Sequence, residues 1–153
     1  MDSLTVLQVI ALSVVGIPIS FKDIRDHKIY NRDLLSYSVA VLPMTTLTQI
    51  CANHYWRLGQ SFLYTLGFSL ILFAIASFKS APVGMGDVKL LVLVSFALSL
   101  YSLNQYQNWL LWVMVVGSII AIFHTVRWHT MGARIAFAPA VFVGTLAYLA
   151  TRK

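Results

Sequence analysis

A chain of 153 residues is of ordinary single-domain length, but 59% of it is hydrophobic, only 10% is charged, and its mean hydropathy is +0.78. That composition excludes a water-soluble globule and puts the chain in the membrane class. The net charge of +6 would indicate nucleic acid in a soluble protein; here the basic residues gather in loops between apolar runs, so the expected surroundings are a lipid bilayer and no nucleic acid.

Asp, Glu, Lys and Arg are missing from residues 3–21, 34–56, 58–78, 90–126 and 135–151, and a spanning helix needs about 20 apolar residues. The first run follows Met1-Asp2-Ser3, with neither a basic n-region nor a small-residue cleavage site, so it reads as a retained helix over 4–21. Helices over 34–53 and 59–78 follow. The fourth run is too long for one crossing, and Ser102-Leu103-Asn104-Gln105-Tyr106-Gln107-Asn108 reads as a polar turn dividing it into helices over 88–103 and 109–126. A last helix covers 135–150. The expectation is an all-α, polytopic membrane protein of about six transmembrane helices, one integral-membrane domain over 1–153.

With the N-terminus outside, the loops at 22–33, 79–89 and 127–134 face the cytoplasm. They hold Lys22, Arg25, Lys28, Arg32, Lys79, Lys89, Arg127 and Arg134, whereas only Arg57, Arg152 and Lys153 fall elsewhere, as the positive-inside rule requires. Tyr55, Trp56, Tyr101, Tyr106, Trp109, Trp112 and Trp128 lie near predicted helix ends and read as interfacial anchors. Lone Cys51 excludes an internal disulfide, and no Cys-x-x-Cys pair is present to hold zinc.

All five acids are aspartates. Asp23, Asp26, Asp33 and Asp87 share the cytoplasmic side in this topology, and Asp2 lies opposite. An acid at the bilayer edge is costly to keep charged, which makes it a functional candidate. Asp87 stands in Gly84-Met85-Gly86-Asp87-Val88-Lys89, between two long apolar segments. Residues 90–103 would span only about 21 Å of a roughly 30 Å hydrocarbon core, so one way to fill the deficit is for Asp87 and the glycines to sink into the bilayer edge.

Two carboxylates at close range raise one pKa and share a proton. One can then serve as general base on water while the other donates to a carbonyl oxygen, the two roles amide hydrolysis needs. Gly84 and Gly86 would permit positive φ and close approach of a peptide. Simpler readings stand beside this one: Asp23 as a solvated loop acid among Lys22, Arg25 and Lys28, Asp87 as a helix N-terminal charge, Asp26 and Asp33 as solvated or capping residues. Lys89 is a snorkelling anchor, a group that tunes Asp87, or a ligand for a substrate carbonyl. His27, His54, His124 and His129 lack the i, i+4 zinc-protease spacing, and no glycine-flanked serine or phosphate loop occurs.

Asp23-Ile-Arg-Asp-His-Lys-Ile29-Tyr30-Asn31 resembles the first catalytic segment of the type IV prepilin peptidases, an aspartate followed at a fixed distance by Ile-Pro-Asn. Gly84-Met85-Gly86-Asp87-Val88-Lys89-Leu90-Leu91 is similar to their GxGD motif, and Phe137-Ala138-Pro139-Ala140 with Gly144 to their Pro-Phe-Gly-Pro stretch. Tyr30 stands where the family has proline, and Ala136 and Ala138 also depart from its pattern. The resemblance implies a cofactor-free aspartic endopeptidase in the cytoplasmic membrane that clips the short basic leader from prepilin or pseudopilin precursors. It implies Asp23 and Asp87 as the catalytic pair, Gly84 and Gly86 as shapers of the loop, and Asn31, Lys89 and Pro139 as supporting residues.

Larger members carry paired cysteines in an N-terminal cytoplasmic region and methylate the new pilin N-terminus. This chain has neither those cysteines nor the room, so it is similar to the short, peptidase-only form of tight-adherence systems. A presenilin-like protease is disfavoured because Asp23 lacks a Tyr-Asp helical setting. Outside proteolysis, the alternatives are a small transporter with Asp87 as ion site and a non-catalytic pilus-assembly scaffold.

Overall fold

The structure, a computed structural model, describes residues 3–26, 28–51, 53–77, 84–128 and 136–151. Asp2, His27, Lys79, His129, Arg134, Arg152 and Lys153, each assigned a side of the membrane or a loop above, lie outside the described residues. Among the described residues there are six helices and no strand: α1 (Ser3–Asp26), α2 (Asn31–Cys51), α3 (Tyr55–Ala76), α4 (Met85–Ala97), α5 (Leu103–Trp128) and α6 (Ala138–Thr151). Residues 31–51, 55–76 and 103–127 form helices long and apolar enough to cross a membrane. The 13 residues of α4 and 14 of α6 reach only about 20 Å, short of a hydrocarbon core of about 30 Å.

Three boundaries differ from expectation for physical reasons. First, α1 continues through Asp26, so Asp23 lies inside its last turns instead of in a loop; the segment 22–26 stays helical because Asp23 is buried against α6. Second, α4 stops at Ala97, where Leu98 caps it and Ser99 takes a left-handed φ of 50°, an arrangement that ends a right-handed helix. Third, residues 103–108 of the polar run are not a turn but the beginning of α5, with Ser102 just before it. Tyr106, Trp109 and Val113, at i, i+3 and i+7, are all buried, and that stripe of packing outweighs the weak helix propensity of the neighbouring Asn and Gln residues.

The same shift removes two expected interfacial anchors. Trp109 is fully buried and donates its indole N–H to Thr145 Oγ1 at 2.9 Å, while Tyr106 packs on Phe68 of α3 with ring centroids 5.2 Å apart. Tyr55 and Trp56 are exposed at the head of α3, as anchors should be.

The buried core runs through α4, the following turn, α5 and α6, with Leu90, Val94, Leu98, Leu100 and Val141 fully enclosed. α6 packs on α5, α1 and α4, and α2 on α1, α3 and α4. Two glycines allow the closest contacts: a Cβ at Gly144 would lie 2.6 Å from Val113 Cα, and one at Gly16 would lie 2.5 Å from the Phe142 ring. The outer faces of α3 and α5 expose Leu63, Leu70, Ile71, Ile119, Ile122 and Phe123, a surface suited to lipid rather than water.

Candidate active site

Asp23 is buried, only 4% exposed. A carboxylate there needs a donor, and it has one: the backbone N–H of Ala138, first residue of α6, donates to Asp23 Oδ2 at 2.8 Å. The first amides of a helix have no partner within it, and its N-terminus attracts negative charge. Asp23 thus closes the α6 N-terminus from another helix. Pro139 comes next; without an N–H it adds no unmatched donor at this crowded point and suits the first turn of a helix. What matters at position 138 is the backbone, so alanine serves there.

Asp87 sits in the first turn of α4, half-buried, with Oδ2 accepting the Gly84 N–H at 3.1 Å. Burial pushes its carboxyl up to about 6; the Gly84 amide opposes the shift, and the nearby charge of Asp23 adds to it. The two acids are not joined by a broad α1–α4 packing: α1 rests on α6 and α2, and α4 on α3, α2 and α6. The shared neighbours α2 and α6 bring them together.

The supporting residues divide. Lys89 Nζ donates to Asn31 Oδ1 at 3.0 Å, strapping the start of α2 to α4; of the three roles open to Lys89, none was this bond. Gly84 is extended (φ −73°, ψ 150°), and neither Gly84 nor Gly86 has positive φ. Their use is close approach. A Cβ at Gly86 would lie 3.2 Å from Ile29 Cβ and 3.4 Å from the Ile29 carbonyl oxygen, and one at Gly84 would lie 3.1 Å from Asp87 Oδ2. Tyr30 replaces proline without disturbing the start of α2: its carbonyl accepts the N–H groups of Asp33 and Leu34 at 3.1 and 3.2 Å, which a proline carbonyl would do equally well.

Asp33 pairs with Lys22 at 2.6 Å, and exposed Asp26 accepts from the Tyr30 hydroxyl at 3.3 Å. Both are accounted for locally. No group of three His, Cys, Asp or Glu residues among those described is arranged to hold a metal ion. The functional group that reading the sequence missed is the Ala138 amide, a backbone donor that has no letter of its own; its signal was its position immediately before Pro139.

Neither the curated proteins nor the solved structures yield a match. A family model described as the type IV leader peptidase family matches residues 10–126, a stretch that includes α2 through α4, both aspartates and most of α1 and α5. The chain belongs to the type IV leader peptidase family.

Proposed function

We propose that this protein is an aspartic endopeptidase that removes the leader from prepilin-like precursors at the cytoplasmic face of the membrane, with Asp23 and Asp87 as its catalytic pair and no methyl transfer. The observation that carries the reading is the placement of two aspartates at helix N-termini, Asp23 buried against the Ala138 amide of α6 and Asp87 half-buried in the first turn of α4, in a member of a leader peptidase family.

In this reading Asp87 carries the shared proton and Asp23 is the base. Asp23 takes a proton from water as the water oxygen attacks the scissile carbonyl carbon, and Asp87 donates its proton to the carbonyl oxygen. The tetrahedral intermediate collapses as Asp23 gives the proton it took to the amide nitrogen, Asp87 takes one back from an intermediate hydroxyl, and the C–N bond breaks, which restores the pair. The supporting residues hold the geometry: Asn31 and Lys89 tie α2 to α4, and Ala138 and Pro139 seat Asp23 against α6.

The test is cleavage of a precursor by the purified protein, read by gel shift, with mass spectrometry of the product to show a free, unmethylated N-terminus. The pH profile should be bell-shaped. The active form needs one proton on the pair, so activity falls as pH rises through about 6, where Asp87 loses it. At pH 7 about a tenth of Asp87 remains protonated, enough for slow turnover. A rate that rose steadily from pH 5 to pH 8 would rule out Asp87 as the acid.

Gly86→Leu should depress cleavage roughly 100-fold with protein abundance unchanged, because the side chain displaces Ile29 and shifts the α1–α2 connection against α4. Gly86→Ala, which asks Ile29 to give by a few tenths of an ångström, should cost much less. Equal activity of both variants with wild type would show that this close approach is not needed.

A further inference from the structure

Two acids on different helices must reach one water and one carbonyl, and a misplacement of about 1 Å costs roughly 100-fold in rate. α6 seats Asp23 from one side, and the first turn of α4 carries Asp87. α2 packs on both α1 and α4, and its first turn grips each of them. Toward α1, Asp33 holds Lys22 Nζ at 2.6 Å. Toward α4, Asn31 accepts from Lys89 Nζ at 3.0 Å. Lys22 is the neighbour of Asp23 in the chain, and Lys89 follows Asp87 by two residues.

The path from one acid to the other is therefore short. It runs one residue along α1, across an ion pair, two residues along α2, across a hydrogen bond and two residues along α4, with helical backbone on every covalent stretch. Lys22 and Asp23 stand about 100° apart around α1, so one side chain reaches α2 while the other faces α6. The macrodipole favours an acid in the first turn of a helix without any partner, and that alone would leave Asp33 in solvent. Instead its side chain is largely covered, 17% exposed, against Lys22. A partly exposed ion pair adds little to stability, so the consequence of this one is geometric.

We infer, on the aspartic peptidase reading, that the first turn of α2 is a bracket that sets the separation of the two catalytic aspartates. Lys22 and Asp33 are positioning residues for the reaction, and Asn31 and Lys89 form the other arm. Tyr30 and Asp26 are bonded in the same elbow at 3.3 Å, but that bond does not reach α4. Asp26→Asn is therefore the matched control for removing one negative charge from this end of α1.

Two readouts on the full chain in detergent test the bracket. In precursor cleavage, Lys22→Met and Asp33→Asn should each lower kcat about tenfold with KM within about twofold of wild type, and Lys22→Arg should keep most of the rate. The double variant Lys22→Met, Asp33→Asn restores the net charge but not the bond, so it should be as slow as either single variant. In double electron–electron resonance, spin labels at Arg25→Cys and Met85→Cys in a Cys51→Ser background report the separation of α1 and α4. Lys22→Met, like Lys89→Met, should lengthen or broaden that separation, and Asp26→Asn should leave it unchanged. Single variants as fast as wild type, a double variant recovered to the wild-type rate, or rates that fall only in step with the thermal midpoint overturn the inference, the last two by assigning the pair to the local field or to folding. A precursor that wild type leaves uncut counts against the peptidase reading; an unchanged label separation in Lys22→Met counts against the bracket whether or not cleavage occurs.

Discussion

Asp87→Asn should depress leader cleavage by roughly 10²–10⁴-fold while the protein remains as abundant and as thermally stable as wild type. The Asp87 carboxyl is half-buried, its local bond is to the Gly84 amide at 3.1 Å, and an asparagine side-chain oxygen can still accept that bond. Only the transferable proton is lost. Removing a general acid or base costs roughly 10²–10⁴ in rate, and Asp23→Asn should fall in the same range because its amide oxygen can still accept from Ala138.

Asp23→Ala separates the two duties of Asp23. It should match Asp23→Asn in activity but unfold more easily, by about 1–3 kcal/mol, because a buried amide is left without an acceptor. Cleavage within a few-fold of wild type in both Asn variants would remove the pair from the mechanism and return the transport and scaffold readings. Asp26→Asn should be near neutral, since Asp26 is exposed and bonded only locally.

Gly144→Ala should cause a large loss of stability for the addition of a single methyl. The new Cβ would lie 2.6 and 2.8 Å from Val113 Cα and N and 3.0 Å from the Trp112 carbonyl carbon. These are backbone atoms of a helix, so no rotamer change relieves the clash, and α5 and α6 must separate. Overpacking of this kind costs about 1–3 kcal/mol, read as a lower thermal midpoint in detergent. Gly16→Ala offers the comparison: its obstruction is the buried Phe142 ring, a side chain and not backbone, so a shift of that ring relieves the clash without parting two helices and it should cost less. If the two variants were equally stable, the α5–α6 contact would be looser than described.

Six helices were legible from five charge-free runs and a break placed in the fourth, because burying or spanning that much apolar chain leaves few alternatives to helix. The ends were less legible. The Asn and Gln residues of 102–108 look like a turn until Tyr106 and Trp109 are known to be buried on one side of them, a fact of packing rather than of composition. Asp23 looked like a loop residue because polar neighbours surround it in sequence, whereas in space it faces α6. The GxGD stretch announced itself through residue types. The Ala138 amide did not, and the work expected of glycine as a flexible turn turned out to be work done by its smallness against Ile29 and Asp87.

The bond between Asp23 and Ala138 spans 115 positions of the chain, and that span is also an interval of time. At about 5–20 residues per second, a ribosome takes on the order of ten seconds to reach position 138 after making position 23. Throughout that interval Asp23 exists without the amide that later answers it. A chain halted after α5 would contain both aspartates, and nearly all that the family model matches, but no α6 to seat Asp23. The seat of Asp23 is therefore assembled only after α6 has been made, later than either aspartate.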